Sequence, residues 1–337
     1  RIESQGQTQA LTTAGMLSGV LLALVNPALG MATLSVSMAA SQQAGINYTR
    51  GNEKEADRVG IALLANSNFD PQGAPDFFSK MSIKYRYASK PPAMLLTHPL
   101  PESRIADARQ RAHNFPTRQL APSLQFELAK SRIKSRYQGS PKNNIAYYNK
   151  ILRKKTYAIK KAAQYGLALS YFEDKQIHKA KAILEELRAQ DINNLFYIDA
   201  LTDVLLALND FEPAIAMLDR LNLLMPNNAV ITLNYANTLL SAKKYQASAH
   251  LLQDFLIVHP SNFIAYDILT SVYKAQENLG LMHITQAEVF ALLGAYSKAV
   301  DELHTSYNYV EDQPLLKKRI KARILQLQEE ENKLKRL

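Results

Sequence analysis

The chain has 337 residues and 47% hydrophobic content, enough for about two domains with real cores. It contains no cysteine, which excludes disulfides and thiolate zinc sites. Lys and Arg exceed Asp and Glu by 40 to 30, a net charge of +10 that falls well short of a histone-like excess, and Gly and Pro are too sparse for a collagen-like or broadly disordered chain.

The first residue is Arg1 rather than Met, as in a mature or trimmed product. No charged residue lies between Glu3 and Arg50, and within that gap "MLSGVLLALVNPALGMATLSVSMAA" is apolar or small almost throughout. A membrane-spanning helix needs roughly 20 apolar residues. Asn26-Pro27 interrupts the run, and proline breaks or kinks a helix. The expectation for residues 10–40 is therefore a buried helical hairpin or a peripheral membrane contact. A helix is predicted from Thr49 to about Leu64, with Ala56, Val59, Ala62 and Leu63 as its apolar stripe. Glu53 and Asp57 stand four residues apart on the neighbouring face. On spacing alone this pair reads as ordinary acid on a wet helix at least as well as a metal site. "NSNFDPQG" stops that helix, and "APDFFSKMSIKYRY" reads as a second. A loop, "ASKPPAMLLTHPLPESR", carries His98 between prolines, and a third helix is expected from about Pro101 to His113. Residues 114–123, with two prolines, form the predicted linker.

Beyond the linker the sequence repeats. Ile177, Phe211 and Tyr245 are 34 residues apart, as are Ala180, Ala214 and Ser248, then Leu184, Leu218 and Leu252, and also Pro226 and Pro260. This period, with a small residue where helices cross and proline at the end, resembles the tetratricopeptide repeat. Serine at 248 departs mildly from the usual alanine. Units are expected at 161–194, 195–228 and 229–262, after a degenerate unit at 124–157. Tyr296 and Ala299 lie 51 residues after Tyr245 and Ser248, so one extra helix is inserted between about 263 and 279. "LLKKRIKARILQLQEEENKLKRL" reads as a polar capping helix. The groove of such a stack would bind partner segments, and Tyr197, Asn234 and Tyr266 are expected to line it.

Residues 126–161 carry eleven Lys/Arg against one acid, Glu127, with five interleaved aromatics. A solvated helix face is the first reading, an acidic protein or membrane surface the second, and nucleic acid the least favoured.

"NEKEADRVGI" followed by "THPLPESRI" resembles the peptidase family M48 zinc metalloproteases, in the branch that has tetratricopeptide repeats after the protease domain. The resemblance covers essentially the whole chain. It implies an all-α chain, with the C-terminal part of an M48 domain in residues 1–113 and a repeat solenoid in residues 124–337. It implies a periplasmic zinc endopeptidase acting in quality control of outer-membrane β-barrel assembly. Protein substrates or the assembly machinery would bind the repeats, and nucleic acid would not. Counting back from Ala56-Asp57 makes Glu53 the implied third zinc ligand, with Asp57 orienting a ligand histidine. His98 and Arg104 fall at the implied active site, His98 as a metal-filling plug or a catalytic donor. Arg104 would stabilise a developing oxyanion. The family's H-E-x-x-H helix is absent: none of the seven histidines is followed by glutamate, and no two are four apart. The expectation is thus a portion of a longer protease, inactive and metal-free as residues 1–337, since zinc needs at least three protein ligands. A non-catalytic repeat adaptor is the competing reading, and a membrane-anchored scaffold a third.

Overall fold

The computed structural model describes residues 51–87, 102–118 and 120–335. Among these residues all regular structure is α-helical. The chain divides into two compact units, Arg1–Ala121 and Pro122–Leu337. The apolar segment 10–40 and the loop bearing His98 lie outside the described residues.

In the first unit, α1 (51–66), α2 (Gly73–Tyr85) and α3 (Glu102–His113) surround a small core. Ile61 of α1 packs with Ala108 and Ala112 of α3, flanked by Ala74, Phe78 and Phe115. Two alanines on one face of α3 allow the close approach. The predicted apolar stripe of α1 needs correction: Val59 and Leu63 are 53% and 63% exposed, and Ala56 is exposed too. The inward face is Asp57, Ile61 and Ala65, at i, i+4 and i+8. The acid-bearing side turns in because a cation from α3 meets it there.

The second unit is a stack of short helices, α4 (Leu124–Tyr137) to α15 (Pro314–Lys335). Between them come α5 (Pro141–Lys154), α6 (Lys160–Glu173), α7 (Ile177–Gln190), α8 (Leu195–Ala207), α9 (Phe211–Leu224) and α10 (Ala229–Ser241). Then follow α11 (Tyr245–Val258), α12 (Phe263–Ala275), α13 (Leu279–Leu292) and α14 (Tyr296–Tyr307). The 34-residue period is written in the turns as well as the core. Lys175, Asn209, Lys243 and Glu277 all adopt positive φ, between 59° and 63°. In each case the next amide reaches back five residues: Gln176 to Tyr171 O, Asp210 to Leu205 O, Lys244 to Leu239 O and Asn278 to Tyr273 O, at 2.8–2.9 Å. This closure satisfies the last carbonyls of the first helix and turns the chain back on itself. The return turn is capped by Asn194, Asn228 and Asn262, whose side-chain oxygens accept backbone N–H bonds from the helix that follows. The small column is fully buried at Ala180, Ala214 and Ser248, and the Ser248 hydroxyl is satisfied by Ala236 O at 2.8 Å.

The extra helix expected between about 263 and 279 needs correction: α12 keeps the 34-residue register, its cap Asn262 and its turn Glu277 standing 34 residues after Asn228 and Lys243, and the extra helix is α13. Its position explains why the columns shift: Gly294, at φ +73°, repeats the αL turn only 17 residues after Glu277, with Ala295 bonding back to Phe290 O. Helix α13 therefore ends one hairpin and begins another. The 34-residue repeats and their turns make this unit a tetratricopeptide-type solenoid, capped by the 22-residue α15.

Candidate functional site

Glu53 and Asp57 project from α1 and meet Arg104 from the first turn of α3. Arg104 Nε and Nη2 donate to the two oxygens of Asp57 at 2.5 and 2.8 Å, a bidentate clamp. Arg104 Nη1 lies 2.6 Å from Glu53 Oε2. The three side chains are only 6–16% exposed. The guanidinium also stands 5.2 Å from the Phe78 ring centre, so an aromatic wall from α2 closes one side. The hydrogen bonds to Asp57 raise the Arg104 pKa despite burial, with Glu53 adding to the effect. Arg104 is the fixed cation of the cluster. Two carboxylates share it.

Three of the four sequence-assigned residues thus come together from two helices 47 positions apart. The fourth, His98, lies outside the described residues. The expected solvated reading of the Glu53–Asp57 pair does not hold, because both acids face inward onto Arg104.

The M48 peptidase family model matches residues 1–112, the stretch that contains all four positions. The β-barrel assembly-enhancing protease of Escherichia coli (strain K12) is 35% identical over 334 residues, covering 99% of this chain and 68% of its own length. The Yersinia pestis protein of the same name is 36% identical, covering 97% of this chain and 67% of its own length. The chain belongs to the β-barrel assembly-enhancing protease family of M48 metallopeptidases. A tetratricopeptide repeat protein from Parabacteroides merdae ATCC 43184 overlaps 72% of the chain at TM-score 0.39 and 14% identity.

Family membership implies zinc, and the side chains test how far that fits. Among the described residues no group of three or more His, Cys, Asp or Glu is placed to hold a metal ion. Glu53 and Asp57 alone converge, and Asp57 has both oxygens on Arg104. The described residues therefore offer one carboxylate donor and its clamp, short of a zinc site.

The solenoid holds a second charged cluster that sequence reading missed. On the first helices of successive hairpins, Arg132 pairs with Asp199 at 2.8 Å and Arg136 with Asp203 at 2.5 Å. Asn234 donates to Asp199 at 3.1 Å, and Glu173 lies 3.8 Å from Arg136. Burial above all, and then the Asp199 charge, raises the Asp203 pKa, with Arg136 pulling the other way. The signal was present as i, i+4 arginines on α4 facing i, i+4 aspartates on α8. It was hidden because the arginines sit in a basic run. Of the expected groove residues, Tyr197 needs correction. It is fully buried in the solenoid core, where its ring meets Tyr165 at 5.9 Å. Asn234 and Tyr266 remain half-buried.

Among the described residues no helix is long and apolar enough to cross a membrane.

Proposed function

We propose that this protein works as a zinc metalloendopeptidase in the periplasm, in quality control of outer-membrane β-barrel assembly. Residues 1–113 would supply the C-terminal part of the protease domain, 114–123 a linker, and 124–337 a solenoid that receives protein substrates or the assembly machinery. The observation that carries this reading is the Arg104 clamp on Glu53 and Asp57. A metal-ligating carboxylate has to be held in one orientation, and a buried guanidinium does that. Glu53 is the assigned zinc ligand, with Asp57 and Arg104 as positioning residues. Zinc, when bound, would supply a water activated near neutral pH.

Because these residues amount to one ligand, residues 1–337 alone should retain no zinc after dialysis and cleave no casein. One equivalent of zinc by elemental analysis would overturn that. In the form of the protein that carries an H-E-x-x-H helix, Glu53→Gln should lower bound zinc and proteolysis together. Retention of one zinc per chain by that variant would remove Glu53 from the site. His98 is assigned as the group that fills the metal's open position at rest. His98→Ala should then raise basal proteolysis, and a fall would make it a catalytic donor instead. The adaptor reading predicts no proteolysis in any form, with partner capture lost when residues 124–337 are deleted.

A further inference from the structure

From Leu128 to Phe172 the chain has no acidic residue, where its average content would place several. The cations of this stretch divide by direction. Arg132 and Arg136 face inward and are ion-paired. Lys142, Lys150, Arg153, Lys154 and Lys155, on α5 and its C-terminal cap, and Lys160 at the start of α6, are all exposed. None of these six has an ion pair among the described residues. Elsewhere in the same solenoid lysines do find partners, as Lys181 with Asp210 and Lys244 with Glu212, both at 2.8 Å. The opposite side of α5 is locked. Asn144 donates to Lys134 O and Gln138 O at 3.1 and 2.7 Å, closing the end of α4. Four residues on, Tyr148 donates to Ser131 O at 3.3 Å. An ideal Cβ on Gly166 would lie 2.6 Å from the Tyr148 hydroxyl, so glycine there is what lets the ring sit flat on α6. A rigid helix thus presents a cationic face with no acid to neutralise it.

We propose that this outward face of α5, with the turn into α6, docks on the surface of an anionic phospholipid bilayer. Five of the six cations are lysine. Lysine acts as a hydrated point charge, whereas the planar fork of arginine suits bidentate recognition of one particular carboxylate or phosphate. Each of these cationic side chains is exposed, so the face suits a laterally uniform anionic surface better than a single acidic segment. Tyr147 on the same helix is 42% exposed. Tyrosine is the residue that sits well at the headgroup level, with an apolar body and a polar tip. Each lysine near such a surface contributes about five-fold in partitioning.

The test uses the whole chain and co-sedimentation with vesicles of phosphatidylglycerol mixed with phosphatidylcholine, against phosphatidylcholine alone. Binding should require the anionic lipid and should vanish at about 0.5 M salt, where screening lengths fall to about 4 Å. The triple variant Lys150→Gln/Lys154→Gln/Lys155→Gln should lose on the order of a hundred-fold in partitioning. Lys181→Gln/Lys244→Gln/Lys333→Gln changes net charge equally but removes paired lysines, and should bind nearly as well as the parent. Equal loss in both triples would reduce the effect to net charge and overturn the proposal. So would unchanged binding in the α5 triple, which would point to another segment. The chain has no tryptophan, so Ala146→Trp on the exposed side of α5 gives a single reporter. Its emission should shift to the blue on the anionic vesicles and stay unchanged on phosphatidylcholine. Binding to polyglutamate but not to vesicles would replace the bilayer with an acidic protein partner.

Discussion

Two regions of the molecule set arginine against carboxylates at different depths. In the first unit one guanidinium, Arg104, serves two carboxylates, Glu53 and Asp57. On the solenoid, Arg132 meets Asp199, and Arg136 meets Asp203 with Glu173 at 3.8 Å. The solenoid pairs are also wetter: Arg136 and Asp203 side chains are 19% and 36% exposed, against 11% and 6% for Arg104 and Asp57. A buried ionic cluster is poorly explained by stability, because desolvating charges offsets most of their attraction. It is better explained by a site that has to hold a carboxylate in one orientation. A half-wet ladder is what a surface open to exchangeable partners can tolerate.

The largest effect expected from this contrast comes from Arg104→Met. It leaves Asp57 buried beside Glu53 with their shared cation gone, and breaking a buried pair from one side costs about 3 kcal/mol or more. Urea unfolding of the whole chain should show that loss in a transition belonging to the first unit. The double variant Arg104→Met/Asp57→Asn should recover part of it. A loss below about 0.5 kcal/mol in the single variant would mean that the cluster is as solvated as a surface pair, and the contrast would fail.

Arg136→Met probes the other region and should be milder, about 1–2 kcal/mol, because Asp203 keeps contact with water. Its pH dependence has a definite sign. Asp203 has a raised folded-state pKa, mainly from burial. A raised value contributes stability that is fully present below the ordinary carboxylate pKa and is lost as pH rises through the folded one. Removing Arg136 raises the Asp203 pKa further. The deficit of the variant should therefore be greatest at neutral pH and should shrink on acidification as Asp203 takes up its proton. A deficit that does not change with pH through the carboxylate range would show that Arg136 acts through packing and not through the Asp203 charge.

The solenoid was far more legible than the first unit, for a physical reason. Each repeat must close the same turn and pass the same helix crossing, so the constraint recurs at fixed spacing. Ala180, Ala214 and Ser248 mark the crossing, while Asn194, Asn228 and Asn262 mark the caps. The extra helix was readable as a half-period shift from Tyr245 to Tyr296, but its place was not: α12 keeps the 34-residue register and the added helix is α13. In the first unit each contact occurs once. Val59 and Leu63 formed a plausible apolar stripe, and only Arg104, 47 positions away from Asp57, reveals that the acid face is the inner one. Glu53, Asp57 and Arg104 were assigned through family resemblance. Spacing alone left them ambiguous. Tyr197 was misplaced for a related reason: an amphipathic residue on the first helix of a repeat can face the groove or the core, and the period does not distinguish them.

That misplacement leads to the smallest of the expected effects. Tyr197 is fully buried and its hydroxyl has no hydrogen-bond partner among the described residues. The neighbouring Tyr165 is in the same state. A hydroxyl buried without a partner loses its hydration with nothing in return, whereas phenylalanine of the same shape loses nothing. Tyr197→Phe should therefore stabilise the solenoid by about 1 kcal/mol, the opposite sign to both arginine variants. Burial also pushes the Tyr197 phenol up to about 12 from an ordinary 10.0. Its contribution to stability is complete below the ordinary value and is lost as pH rises through the raised one, since the folded state resists ionisation that the unfolded chain permits. The variant should thus keep its stability further into alkali than the parent. If Tyr197→Phe destabilises the solenoid instead, the hydroxyl has a partner in solution, and a water held between Tyr197 and Tyr165 is the group to look for.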